Sequence, residues 1–463
     1  FTSTSIDTTI FNGATQILSN TGTVNFHHVV VEPSNSLTLT DDDITVEGNL
    51  AINSGALADG GYTITVLGDI HNAGTHQGVG KIYLNGTTTQ DIGGNGTFGN
   101  VDLDNTEGAR LTGNIGINGD LTLSDGIFNI RSYLLNLGED SDIIANGDDF
   151  SASKMVQCNG TITDQGIQKD FSNAFSSTFK FPFGTYLKYR PLEIDFDGAS
   201  DGGTIKAYPV ASAHPTIIAP AGDPTRVLQY YWGIVSSITG YSGDFVFKFE
   251  DVDLGSSATL DDFYSAQLVL ANDSWLKAAL PQTDKDNRTI TFSFTNADSE
   301  TIDGSFTAGE PDAIPNVLTT YSSVITGDWD TPATWDRNSV PPQGAIVVIQ
   351  AEDTVYVTTH RKRPYRTRIN GRLEIERTTL GHNFGLVQGS GTLALENGIL
   401  PPGKWNESVG EIPGFLPIEG ECGTGFGTVE FGGDFSYTLD ENFTCLLYTS
   451  PSPRDRTRSR MPS

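Results

Sequence analysis

Ile44-Thr-Val-Glu-Gly48-Asn-Leu-Ala-Ile-Asn-Ser-Gly55 is answered 71 positions later by Ile115-Gly-Ile-Asn-Gly119-Asp-Leu-Thr-Leu-Ser-Asp-Gly126. In both, apolar and polar residues alternate over three to five positions and each run stops at Gly, Asn or Asp. Alternation gives a short strand with one buried face, and the stop residues tolerate the positive φ of a tight corner. The match extends outward. Phe26-His-His-Val-Val-Val lies over Phe98-Gly-Asn-Val-Asp-Leu, and Phe11-Asn-Gly-Ala-Thr-Gln16 over Leu84-Asn-Gly-Thr-Thr-Thr-Gln90, so residues 11–57 and 84–128 read as two copies of one unit. Gly48, Gly68 and Gly86 stand 20 and 18 apart, and Gly99 and Gly119 stand 20 apart. That spacing suits one coil of a parallel β-solenoid. Residues 1–150 would hold about seven coils, a rod on the order of 35 Å at roughly 4.8 Å per coil. The strand lengths by themselves also fit an antiparallel sandwich of short hairpins. In the solenoid reading Leu50, Ile52, Leu121 and Leu123 hold equivalent positions and point into one core.

The rhythm stops near residue 150. Residues 171–310 carry most of the aromatics, in Phe171 to Tyr189, Tyr230-Tyr-Trp232 and Phe245-Val-Phe-Lys-Phe249, with longer strands and no 20-residue glycine spacing. This predicts an antiparallel β-sandwich over 151–312. Ala308-Gly-Glu-Pro-Asp-Ala-Ile-Pro315 reads as a linker. A second, truncated solenoid segment is expected over 313–444, with Ile346–Ile349 as its first strand and coil echoes at Ile369-Asn-Gly-Arg-Leu-Glu-Ile and Gly389-Ser-Gly-Thr-Leu-Ala-Leu. Trp329 and Trp335 stand before that strand and are expected to cover its open end, mostly buried; exposed indoles would instead suit sugar stacking. The fold class is therefore all-β, with two parallel solenoid segments flanking an antiparallel sandwich.

Composition agrees. Gly 52 and Pro 21 make about 16% of 463 residues, charged residues are only 18%, and no apolar run reaches membrane-spanning length. The formal net charge of −30 opposes nucleic acid and anionic lipid as partners. The ends are anomalous. Position 1 is Phe, with no leader features, which reads as a start inside a longer chain. Cys445 to Asp455 resemble a translated transposon-end sequencing adapter, and Ser459 to Ser463 a flow-cell sequence. Residues 445–463 are therefore expected to be a non-native tail of a metagenome-type fragment, packing against nothing. Without its four Arg and one Asp, 23 basic residues face 56 acidic ones, a net charge of −33. Two cysteines remain, Cys158 and Cys422, without a CxxC pair; two buried thiols are the plainer account, and a bridge is conceivable in an exported protein.

Chemistry is sparse. Gly94-Asn-Gly-Thr-Phe-Gly99 fits GxGxxG but lacks a following helix and reads as a β-corner. Asp284-Lys-Asp-Asn begins like a calcium loop, yet its twelfth position is Thr295. Asp41-Asp-Asp43, Asp148-Asp149 and Glu250-Asp-Val-Asp253 are carboxylate clusters that could take Ca²⁺ but read more simply as solvated turn charges. His71 and His76 lack further ligands. Seven basic residues between Arg361 and Arg377 could meet an acidic polysaccharide; ion pairing within the acidic surface is the plainer reading. No catalytic, cofactor or metal residue is assigned.

Gly327-Asp-Trp-Asp-Thr-Pro-Ala-Thr-Trp335, Val340-Pro-Pro and Asp353-Thr-Val-Tyr-Val357 followed by Gly-x-Leu strands resemble the domain start of large secreted surface proteins of Bacteroidota, and loosely the Gly-rich G8 domain. Phe181-Pro-Phe-Gly-Thr, Tyr189-Arg-Pro, Tyr231-Trp232 and Phe306-Thr-Ala-Gly-Glu are similar to the middle part of the same proteins. The resemblance implies an exported, noncatalytic stalk, adhesin or gliding protein at the outer surface, often carried by the type IX system, with surface polysaccharide or another surface protein as partner. The sorting domain of that system is not matched here. A β-helix carbohydrate-active enzyme or carbohydrate-binding module is the alternative, and would need a carboxylate pair or calcium site converging in one groove.

Overall fold

The computed structural model describes residues 7–395, apart from 20, 23, 220, 270–273, 278–282, 317–319, 343, 377, 381 and 383, together with the strand Thr428–Phe431. Cys422 and residues 445–463 lie outside the described residues, as do the expectations placed on them. The described residues fall into two compact units, one within 1–214 and 223–316 and one within 215–222 and 317–463.

In the first unit, 21 strands between Thr8 and Ala145 wind as seven coils of three strands, each strand pairing in parallel with its counterpart one coil on. On the first face Thr8 pairs with His28, Val29 with Leu50, Leu50 with Ile70 and Ile70 with Ile92. A coil is thus 20 to 22 residues there. The antiparallel-hairpin alternative is excluded for this segment. Alternation then decides burial: Leu37, Leu39, Val46, Leu50, Ile52, Ile64, Leu121 and Leu123 all point inward and are at most 1% exposed. Each such aliphatic removed from water contributes about 1.5–3 kcal/mol.

The 71-residue repeat is not a structural equivalence. Leu50–Ile52 lies on the first face, whereas its counterpart Leu121–Asp125 lies on the third; Ile44–Val46 lies on the third and Ile115–Ile117 on the second. The repeat spans eleven strands and a coil spans three, so the second copy is displaced by one face. The inner residues still share one core because all three faces enclose it.

Near residue 166 the strand direction changes without a break in the sheet. Gly166–Phe171 pairs in parallel with Leu134–Leu137 on one side and antiparallel with Gly203–Val210 on the other. The second face thereby runs on through Tyr231–Ser236, Gly304–Gly309, Tyr264–Val269 and Ser274–Lys277 as one 13-stranded sheet. Against it packs a five-stranded antiparallel sheet: Ser177–Phe181, Leu192–Gly198, Tyr241–Lys248, Thr289–Ala297 and Thr283–Asp284. Phe247 stacks on Phe306 at 5.1 Å and Phe292 meets Phe306 edge-on at 4.9 Å, closing the sandwich. One hydrophobic cluster extends from Phe26 to Ala308.

The expected linker at 308–315 is a packed segment. Ala308, Ala313 and Ile314 are buried, Glu310 pairs with Arg226, and Lys277 Nζ donates to the Pro311 and Ile314 carbonyls at 2.7 and 2.9 Å.

The second unit is again a parallel solenoid. Thr320–Ser322, Ile346–Ile349, Arg366–Ile369 and Leu386–Gln388 form one sheet, and Gly327–Asp328, Thr354–Val357, Arg372–Ile375, Thr392–Leu395 and Thr428–Phe431 another. The coil rhythm therefore begins at Thr320 rather than Ile346, and Trp329 and Trp335 follow two short strands. Both indoles are 2% exposed, as the covering role requires. They meet edge-on at 5.2 Å, and Trp335 Nε1 donates to the Trp329 carbonyl at 2.8 Å. Their place is inside the first coil of this unit.

Candidate functional site

Corner residues that looked like ligand clusters serve the coils. Asp41 accepts from Ser19 Oγ at 2.6 Å, Asp42 from the Gly22 amide and Asp43 from the Thr63 amide, so each carboxylate of the triplet ties down a neighbouring coil. Asp284 holds the turn before Thr289–Ala297 by accepting from Asp286 and Asn287. Of Glu250–Asp253, Glu250 and Asp251 are exposed, Asp251 pairing with Arg288, but Asp253 is not a solvated charge: it is fully buried and accepts from Arg190 Nε, from Lys188 Nζ at 3.1 Å and from the Glu250 amide. Among the described residues no three His, Cys, Asp or Glu side chains gather as a metal site.

The two histidines part company by strand alternation. His71 is exposed on the first face; His76 points inward from Thr75–Gln77 and is 2% exposed. Its Nδ1 accepts from the Gly99 amide at 3.1 Å, which leaves the ring hydrogen on Nε2, 3.2 Å from Asp59 Oδ2. The hydrogen is not aligned on that oxygen, so the two groups are in polar contact rather than in a formed hydrogen bond. Burial raises the Asp59 carboxyl, but His76 and the Gly61 and Gly80 amides outweigh it and hold the group below its ordinary value. The pair is sealed in the core, so its role is structural.

Cys158 is likewise fully buried, and burial pushes its thiol far up, away from reactivity. In Gly94–Gly99, Gly94 and Asn95 adopt φ of +109° and +60°, a β-corner. Of the basic stretch, Lys362 pairs with Asp330, Arg372 with Glu374, and Arg366 is buried.

Outward side chains bond along the stack, some to the backbone amides of the next coil and some to its side chains. At one corner Asn49 donates its amide to His28, Asp69 to Asn49 and Asp91 to Asp69, and Arg110 closes the row on Asp91, which it holds below its ordinary carboxyl value. On the third face Lys81 Nζ lies 2.7 Å from Asp102 and Ser124 Oγ donates to the same carboxylate. Tyr83 donates to Asp104, which pushes its phenol up to about 12.

One place departs from this pattern. Phe128 pairs with Val156, so the eighth turn of the first face comes 28 positions after the seventh, where the earlier register steps are 19 to 22. The extra residues, around 146–153, stand out from the corner. Lys154 Nζ ties them down through the Asn146 and Asp148 carbonyls at 2.9 and 2.5 Å. Beside them the hairpin that joins Phe183–Thr185 to Lys188–Tyr189 ends in a two-residue loop, Tyr186-Leu187. Between these walls lies a pocket of about 410 Å³ lined by Thr106, Glu107, Ile127, Ser151, Ala152, Ser153 and Leu187. The sequence reading missed it. Its available signal was the interval between Phe128 and Val156, where the glycine rhythm fails.

Comparison with protein-family models, with curated proteins and with solved structures gave no match to this chain.

Proposed function

We propose that this chain is part of a noncatalytic extracellular surface protein, a stalk or adhesin that presents a repeat-built β surface. The observation that carries the reading is the use of the outward side chains: along the described coils they bond to the backbone amides and side chains of the neighbouring coil, as in the row from Asn49 to Arg110. A surface knitted in this way is stiff and repeats along the stack, which suits display and spacing. Acidic charge favours solubility among like-charged neighbours. Export to the outer surface by a type IX route, with a surface polysaccharide or surface protein as partner, belongs to the same proposal and rests on the resemblance alone.

The test incubates the purified chain with a panel of insoluble and soluble polysaccharides. Retention on a polysaccharide or cell-wall preparation, without release of new reducing ends or unsaturated uronates, is the expected result. Turnover of any member of the panel overturns the noncatalytic reading and favours a β-helix lyase or hydrolase.

A further inference from the structure

The loop beside the corner pocket is apolar at its tip. Tyr186 and Leu187 are 80% and 61% exposed, two large apolar side chains together at a turn tip where polar residues are usual. Leu187 also has φ +60°, while Tyr186 does not have positive φ, so leucine occupies the turn position that favours glycine or asparagine. A non-glycine residue held in the left-handed region is strained, and strain together with exposed apolar surface marks a place shaped for contact. Behind the loop, Gly184 allows the hairpin to approach closely: a Cβ there would lie 2.0 Å from Met155 sulfur.

The pocket has the size of small-ligand sites, which run from about 300 to 1,000 Å³. Its lining is divided by chemistry. Leu187, Ile127 and Ala152 give an apolar side; Thr106, Ser151, Ser153 and the exposed Glu107 give hydroxyls and one carboxylate. The lysines next to lining residues in the chain are already engaged, Lys154 by two backbone carbonyls and Lys188 by Asp253. A ligand with one apolar face, a rim of hydroxyls and no negative charge matches this division. We propose that the pocket binds a neutral pyranose ring, with Leu187, Ile127 and Ala152 against its C–H face and Glu107, Thr106, Ser151 and Ser153 taking its hydroxyls. The site deepens the surface-protein reading by naming a ligand class. It would serve an exported or an internal chain alike, so its test is separate from that of turnover.

The experiment titrates the full chain with the methyl pyranosides of glucose, galactose, mannose and xylose, and with methyl glucuronide and galacturonide, by saturation-transfer NMR and calorimetry. At least one neutral pyranoside should saturate. Glu107→Ala should weaken it about tenfold or more, and the uronides should bind about tenfold more weakly, a loss of roughly 1.4 kcal/mol. Leu187→Asn, which keeps the left-handed turn, should weaken binding while leaving Tm unchanged or raised; far-UV circular dichroism of each variant checks the fold. The proposal is overturned if no neutral pyranoside saturates, if Leu187→Asn binds as the parent does, or if the uronides bind more tightly.

Discussion

Asp59 and His76 are the residues whose pairing the linear sequence hid most completely. They are 17 positions apart, less than one coil, and meet because His76 points inward beside Leu57, two residues before Asp59. His71 and His76 could be seen as a spaced pair; which of them faces the core depends on strand phase, which a Gly-rich turn leaves open. His76→Leu leaves the buried Asp59 carboxylate with only the Gly61 and Gly80 amides, so it should destabilise the first unit by about 1–3 kcal/mol in urea unfolding. The pH response has a definite sign. The Asp59 carboxyl is held below its ordinary value in the fold, so its contribution is complete above about pH 4 and is lost as pH falls through the lowered folded value. Urea midpoints should drop from pH 4 to pH 2 in the parent chain, and the drop should be shallower in Asp59→Asn. An equally steep fall in the variant would assign the acid response to other carboxylates.

At the scale of the element, the strand-and-corner unit was legible and its address was not. Leu37-Thr-Leu-Thr and Ile64-Thr-Val show the alternation that burial follows, and each Gly or Asp stop is a corner. The same strand pattern works on any of the three faces, because each face offers an apolar interior and a parallel neighbour. Local sequence therefore fixes the strand, and stacking one coil on the next fixes the face. The 71-residue repeat records eleven strands and is indifferent to the three-strand coil. This equivalence of coils makes a deletion testable. Residues 29–49 are one complete coil on the first face, since Val29 pairs with Leu50. Removing them joins His28 to Leu50, and Thr9, the partner of Val29, then meets Leu50. That chain should remain soluble and melt cooperatively, because every remaining inward residue keeps its phase. Removing 29–38 instead leaves half a coil and turns the following strands onto the wrong faces; it should give an aggregated product by size exclusion.

At the scale of the whole chain, the change of texture near residue 150 was visible in the aromatics, but the continuity across it was not. Gly166–Phe171 has one edge that completes a parallel coil and another that opens an antiparallel sheet, and no local pattern announces a strand shared in that way. Within the first unit the consequence is physical. Phe128–Arg131 and Leu134–Leu137 end the seven coils, and their outer partners, Val156–Cys158 and Gly166–Phe171, lie beyond residue 150. Phe128, Ile130, Leu135 and Leu137 are at most 1% exposed in the intact unit. A chain cut at 150 would present two unpaired parallel edges over an uncovered apolar core, the arrangement that templates edge-to-edge association. A chain of residues 7–316 keeps both partners, the opposing five-stranded sheet and the cluster from Phe26 to Ala308, with 215–222 retained as a loop. The longer fragment should therefore elute as a monomer and unfold in a single transition, and residues 7–150 should associate. A monomeric 7–150 with a cooperative melt would mean that the seven coils are stable without the sandwich, and that the shared sheet joins two independent folds rather than building one.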